Sequence, residues 1–384
     1  MKKKITYKGF ELGPIRPPSE AESLMLRVTR NCPWNKCTFC GLYKGKKFSV
    51  RPVEHVLKDI DVIKYYFDEI NKILSKHSGG NHQELIYLTA GKPDYERLAF
   101  QVAFSWMKNG MKSVFLQDAN TLIIKPANLI HILSYLKEQF PQIERITSYA
   151  RSKTIAGISD LNMKAIAEAG LNRVHIGLES ASNEVLEFVQ KGVDKETHIV
   201  AGQKVKRAGI ELSEYYMPGL GGDKYSKANA VETADALNQI NPDFIRIRTL
   251  AVPENIELYK DCQSGAFKKT GDVKIAKELL LFLENLNGVT STVKSDHILN
   301  LFQEVDGTLP DDKAAITSPV KQFLEMKPED QVLYMVGRRS GRFNKLEDMK
   351  NSELLKQVEI SCLNNKIGID NIDAFTSEMM KRFI

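Results

Sequence analysis

The chain has 384 residues, 42% of them hydrophobic and 27% charged, with a formal net charge of +6. That is ordinary for a soluble globular protein, and its length leaves room for either one large α/β barrel with an appendage or two domains of about 100–200 residues each. With the lysines spread along the chain, the mild positive balance permits weak anion affinity but is not by itself a nucleic-acid footprint.

The opening "MKKKITYKGFELGP" is basic but has no apolar core, so it is not read as a signal peptide. No run approaches the roughly 18 apolar residues of a membrane span. Five cysteines without an export signal argue against a disulfide framework and for the reducing cytoplasm.

Residues 1–20 read as an irregular lead-in ending at the proline-rich "GPIRPPSE". "LMLRVTRNC" (24–32) alternates apolar and polar residues and predicts a strand that runs into a cysteine-rich segment. Helices follow over 53–77, stopping at "SGGN", and near 94–109, closing at Asn109-Gly110. "KSVFLQDAN" (112–120) predicts a strand and 126–140 a helix. Strand 144–151, helix 159–170 and strand 172–180 come next, then helices within 182–208. Strand 210–222, helix 227–239 and strand 243–250 complete the alternation.

About six strands alternating with helices imply βαβ units and a parallel sheet. A parallel β/α barrel, complete or partial, suits this better than a dinucleotide fold, because no G-x-G-x-x-G follows the first strand. The expected fold class is therefore α/β, with a core over 21–255 and a mostly helical C-terminal extension over 256–384. In the extension, helices are predicted at 270–287, 312–325, 329–337, 351–364 and 370–383, with one strand near "GVTSTVKSDH".

In a parallel barrel the chemistry sits where strands end. The residues leaving these strand ends are Cys32, Cys37 and Cys40, then Gln117, Asp118, Ala119 and Asn120, then Ser148 and Arg151. Gly177, Glu179 and Ser180 follow, then Pro218-Gly219-Leu220-Gly221-Gly222. Three cysteines in "NCPWNKCTFC" make a poor apolar core pattern. A zinc site needs a fourth ligand, and neither Cys262 nor Cys362 has a neighbouring cysteine or histidine. A [4Fe–4S] cluster with three cysteine ligands leaves one iron without a protein ligand.

This loop, C-x4-C-x2-C after the first strand with an aromatic before the last cysteine, resembles the radical S-adenosylmethionine (SAM) superfamily. The commoner spacing there is C-x3-C-x2-C, so "PWNK" is one residue longer and is expected to bulge outward. The segment "RVHIGLESASNEVLEFVQKG" resembles the branch of oxygen-independent coproporphyrinogen oxidases and related methylthiotransferases. "YYMPGLGG" is similar to that family's sixth-strand turn. The likeness covers about residues 24–250.

What the resemblance implies is a [4Fe–4S] cluster on Cys32, Cys37 and Cys40, whose open iron chelates SAM. Reductive cleavage of SAM then yields a 5′-deoxyadenosyl radical that takes a hydrogen atom from a substrate. Phe39 would pack beside the adenine, and Glu179 would contact the ribose or methionine part. Lys191 would reach the carboxylate, and Gln117, Asp118, Ser148 and Arg151 would supply further SAM contacts. An external electron donor such as flavodoxin or ferredoxin is implied as a partner.

Each position also has a plainer reading: Gln117 and Asp118 as a turn, Glu179 as a helix-terminal acid, Lys191 and Arg151 as solvated charges, Phe39 as loop packing. Asp296 and His297 are weak catalytic candidates, with Asp296 otherwise capping a helix expected to follow. Arg246 and Arg248 share one strand face, toward either an anionic ligand inside the barrel or the exterior. "GRRSGRFNK" (337–345) reads as a solvated basic loop. The substrate is not legible: a small molecule, an RNA to be modified, and a non-catalytic iron–sulfur or zinc role all stay open. No membrane association is expected, and nucleic acid is permitted without being indicated.

Overall fold

The computed structural model describes residues 6–76 and 82–382. The basic start, the "SGGN" stop and the far end of the 370–383 helix lie outside the described residues.

Eight strands form one sheet in the order β1-β4-β5-β6-β7-β8-β9-β10. They are β1 (Leu24–Arg27), β4 (Ser113–Gln117), β5 (Arg145–Ala150), β6 (Arg173–Glu179), β7 (Glu211–Tyr216), β8 (Phe244–Ile247), β9 (Thr292–Lys294) and β10 (Gly307–Thr308). Pairings β1–β4, β4–β5, β7–β8 and β8–β9 are parallel, and β9–β10 is antiparallel. The six strands expected up to residue 250 are all present, and β9 extends the sheet where "GVTSTVKSDH" predicted a strand. The fold is α/β, as the alternation implied. Two-residue strands β2 (Thr29–Arg30) and β3 (Ser49–Val50) pair antiparallel in a separate ladder.

The chain divides into two compact units. The first comprises Met1–Asn35, Leu42–His175 and Arg207–Glu211. Its helices are α1 (Val53–Lys76), α2 (His82–Tyr87), α3 (Asp94–Lys108), α4 (Pro126–Gln139), α5 (Ser152–Ala156) and α6 (Asp160–Glu168). Val56, Ile60, Ile63 and Ile70 recur at helical spacing and are fully buried, which is the stripe that packs α1 on α3 and α4. Strand β4, "SVFLQ", is buried from its second residue on, as a parallel strand covered on both faces must be. The lead-in ends in a 3₁₀ turn, Pro18–Glu20, whose Glu20 is wholly buried, accepts from Ser23 at 2.6 Å and lies 3.7 Å from His175.

The second unit comprises Lys36–Gly41, Ile176–Lys206 and Leu212–Ile384. It holds α7 (Asn183–Phe188), α8 (Lys195–Arg207, whose last residue belongs to the first unit), α9 (Gly222–Ile240), α10 (Glu257–Ser264) and α11 (Asp272–Asn285). It also holds α12 (Lys313–Glu325), α13 (Pro328–Arg339), α14 (Ser352–Asn364) and α15 (Ile372–Lys381). Helix α11 packs on α9 and α12, and α13 on α14 and α15.

Two expectations are corrected here. The basic run at 337–345 is not a solvated loop: Arg338 and Arg339 end α13 and are 7% and 4% exposed. Arg338 donates to the carbonyls of Asn300, Leu301 and Phe343, and Arg339 pairs with Asp272 at 2.6 Å. The guanidiniums fill the donor needs of a buried loop, a job that charge patterning in a sequence does not reveal. No helix follows His297 either. Residues 297–300 form a turn closed by the Asn300 N–H donating to the His297 carbonyl, and Asp296 pairs with Arg246 at 2.5 Å instead of capping.

Candidate functional site

The cysteine loop leaves β2 and returns through β3, so a short antiparallel ladder closes its base. Cys32, Cys37 and Cys40 are all half-buried, and no cysteine in the chain forms a disulfide. Asn31 and Asn35 take left-handed φ values of 66° and 49°, which asparagine tolerates better than most residues. Asn35 donates to the Tyr43 carbonyl at 2.6 Å, and Asn31 to that of Lys47 at 2.7 Å. The left-handed Asn35 lies within the longer "PWNK" spacing.

In the first unit Asp118 organises this loop. Its carboxylate is 1% exposed and accepts from the Asn31 backbone N–H at 2.9 Å, immediately before Cys32. It also accepts from Arg27 at 2.6 Å and from the Tyr43 hydroxyl at 3.3 Å. Burial beside this carboxylate pushes the Tyr43 phenol far up. Gln117 is equally committed: it accepts from the Gly13 N–H at 2.8 Å and donates to the Gly13 and Ile15 carbonyls. Ser148 turns its hydroxyl to the Leu116 and Tyr149 carbonyls. The Arg151 guanidinium lies 5.2 Å above the Trp34 ring.

In the second unit the end of β6 carries the remaining expected contacts. Glu179 has φ 69°, a strained conformation for glutamate of the kind that clusters at ligand sites. Its carboxylate lies 3.6 Å from Lys191, whose ammonium stands 5.5 Å above the Phe39 ring. A Cβ at Gly177 would meet the ends of the Glu179 and Lys191 side chains, so the glycine leaves them room as they are placed. Phe39 packs on a core of Val185, Val189, Leu220 and Ile256, and Thr38 donates to the Val189 carbonyl at 3.0 Å. Glu179, Lys191 and Phe39 are thus brought together.

Glu214, on β7, was missed in the sequence. It is 1% exposed with no hydrogen-bond partner on either carboxylate oxygen, and Glu179 Oε2 is likewise unpartnered. Burial pushes the Glu214 carboxyl well up, opposed by Lys191 and reinforced by Glu179. The strand pattern offers no hint that this polar position is buried.

The weak candidates are placed elsewhere in the second unit. His297 accepts from the Leu299 N–H through Nδ1, and burial, helped by Arg248, lowers its pKa to about 4. Arg246 donates to Ser213 and Asp296, and Arg248 lies 4.8 Å above the Tyr215 ring. Burial raises the thiol pKa of both Cys262 and Cys362, as for inert structural cysteines.

The radical SAM superfamily description matches residues 26–234, more than half of the chain, and the chain belongs to that superfamily. It is an enzyme, and its cofactors are a [4Fe–4S] cluster and SAM. Three half-buried free thiols on one loop are the donor type that such a cluster takes; among the described residues no three His, Cys, Asp or Glu side chains, these cysteines included, are gathered into a metal-holding group.

A tRNA uridine(34) acetyltransferase of Methanocaldococcus jannaschii is 24% identical over 286 residues, covering 69% of this chain and 49% of that protein. An uncharacterised methyltransferase of Pyrococcus horikoshii is 24% identical, covering 60% of this chain and 39% of its own length. The chain therefore spans half or less of these curated relatives. Coproporphyrinogen III oxidase of Escherichia coli is 15% identical with a TM-score of 0.45, covering 69% of this chain and 52% of that one. Among the described residues no helix is long and apolar enough to cross a membrane.

Proposed function

We propose that Cys32, Cys37 and Cys40 hold the cluster and that the Glu179–Lys191–Phe39 group binds SAM. The observation that carries this is the strained Glu179, held beside Lys191 over a glycine that leaves them room. The bound cluster supplies reductive cleavage of SAM to methionine and a 5′-deoxyadenosyl radical. Lys191 donates to the SAM carboxylate, and the Phe39 face takes the adenine. Glu179 Oε2 and Glu214, both without partners in the protein, accept from SAM hydroxyl or ammonium groups.

Anaerobic reconstitution with iron and sulfide, then dithionite and SAM, should yield 5′-deoxyadenosine. Cys37→Ala should lose both cluster and product. Glu179→Ala should keep the cluster and lose at least about tenfold in product rate, roughly 1.4 kcal/mol of transition-state stabilisation. A stable cluster that never cleaves SAM overturns the assignment.

A second reading concerns the substrate. An RNA is supported by the relative named as a tRNA uridine(34) acetyltransferase, and the mild positive net charge permits it. On that reading the radical is directed at a nucleoside of tRNA.

A further inference from the structure

One short turn in the second unit is held more firmly than its length explains. It follows β9, and neighbouring elements fix its main chain on two sides. The Asn300 side chain, 2% exposed, accepts from the Thr249 N–H at 2.9 Å and from its hydroxyl at 3.0 Å. It donates to the Ile247 carbonyl at 2.8 Å and to the Ser295 hydroxyl at 3.0 Å. From α13, Arg339 donates to the Leu299 carbonyl at 2.6 Å, and Arg338 holds those of Asn300 and Leu301. Ser295, Leu299, Asn300 and Leu301 are buried, so the side chains this turn presents are Asp296, His297 and Ile298. A donor fixed in this way loses little freedom on binding, which is what a recognition group requires.

The turn lies on the strand edge that carries Glu179. Strands β7, β8 and β9 run parallel, so Gly219, Arg248 and His297, which follow them, stand along one edge. Glu179 ends the neighbouring β6, and its carbonyl accepts from the Met217 N–H at 2.9 Å. Three strand spacings, about 14 Å at most, separate β6 from β9. Thr249 follows Arg248 and is bonded to Asn300, so the main chains of Arg248 and His297 are tied together. The half-buried Arg248 faces the Tyr215 ring at 4.8 Å, and its charge acts on His297 more strongly than that of the adjacent Asp296. Asp296 is itself balanced by Arg246. His297 Nδ1 accepts from the Leu299 N–H at 3.3 Å, so the neutral ring carries its proton on Nε2. Burial, which lowers the His297 pKa to about 4, keeps the ring in that neutral form near neutral pH. There it donates a hydrogen bond and does not act as a base.

We propose, on the SAM assignment made above, that His297 and Arg248 receive one carboxylate of a small organic acid substrate. His297 Nε2–H donates to one oxygen and the Arg248 guanidinium to the other. A guanidinium beside a neutral N–H donor suits a single planar monoanion, whose two oxygens match those donors. The Asp296 carboxylate at the border disfavours an anion of higher charge. His297 is then a specificity-determining residue that orients the substrate along the edge leading to Glu179, not an acid or base in the reaction. A phosphodiester of RNA is the weaker occupant, since a nucleic-acid surface repeats its cations over many phosphates.

The test uses the whole chain with isotope-labelled histidine rings, read by NMR, the His297 signals being those lost in His297→Gln. Near neutral pH they should report a neutral ring protonated on Nε2. Acetate should move them saturably at millimolar concentration, and Arg248→Gln should weaken that response at least about fivefold, with Arg248→Lys recovering part of it. Dimethyl phosphate, a monoanion of the phosphodiester type, should bind more weakly than acetate. A proton on Nδ1, signals that acetate leaves unmoved, or tighter binding of dimethyl phosphate overturns the proposal. So does SAM that abolishes the acetate response, because the group then takes the cofactor's own carboxylate. The titrations of the parent chain decide the matter even where Arg248→Gln does not fold. They need neither cluster nor SAM, whereas failure of the SAM assignment shows in an unchanged product rate of Glu179→Ala.

Discussion

The Asp118 carboxylate accepts from Arg27, Tyr43 and the backbone N–H that precedes Cys32, so its negative charge is directed at the cysteine loop. The resemblance had assigned it to SAM. From the sequence it was legible that this strand end matters, but not which partner the side chain chooses, because Arg27 and Asn31 lie almost ninety residues upstream. Asp118→Ala leaves a largely buried guanidinium short of one partner and should cost about 2–4 kcal/mol in a denaturant melt. It should also lower the iron bound per chain after reconstitution. Asp118→Asn, which keeps an acceptor for Asn31, should lose less of both; unchanged iron content in the alanine variant would exclude the role.

His297 gives a pH signature. Its folded pKa of about 4 is depressed, chiefly by burial, from the ordinary 6.5. The unfolded chain therefore binds the proton more readily between those values. Stability is fully present above about pH 6.5 and falls as pH drops toward 4, by at most about 3 kcal/mol. His297→Gln should flatten this part of the stability profile, measured as the parent-minus-variant difference across that range.

At the scale of elements, the helices and parallel strands were readable because apolar periodicity fixes them locally. Helix α1 and strand β4 are examples. The "MPGLGG" turn after β7 was readable as a motif, but not what holds it. The Glu278 carboxylate of α11 accepts from Gly219 N–H, Tyr216, Asn229 and Ser226 at 2.6–2.9 Å, in a site so buried that its pKa is raised despite those four donors. That carboxylate comes from the helical extension, some sixty residues away, where no motif announces it. Glu278→Ala strands several buried donors at once and should cost about 3 kcal/mol or more, with Glu278→Gln clearly milder. Equal melting temperatures for the two variants would show that the turn needs no such anchor.

Over the whole molecule, the order of motifs along the chain placed it in its superfamily, since the cysteine loop, the Glu179 segment and the Gly219 turn follow one another as the βαβ succession requires. The two compact units were not legible, because each is assembled from separated segments and the cysteine loop itself contributes to both. The substrate stayed illegible for a related reason: specificity depends on tertiary placement that local patterns do not encode. If RNA is the substrate, tRNA should bind the intact chain with a log–log salt slope of several units. It should also raise 5′-deoxyadenosine formation above the substrate-free rate. Salt-independent or undetectable binding would remove RNA from consideration.

The two-residue ladder of β2 and β3 has one more consequence, for the life of the protein rather than its turnover. Because the neck of the cysteine loop is already tied by backbone hydrogen bonds, most of the entropy of closing it is lost when the polypeptide folds, before iron arrives. On the proposed assignment, the cluster would meet a loop whose two ends the folded ladder already holds together.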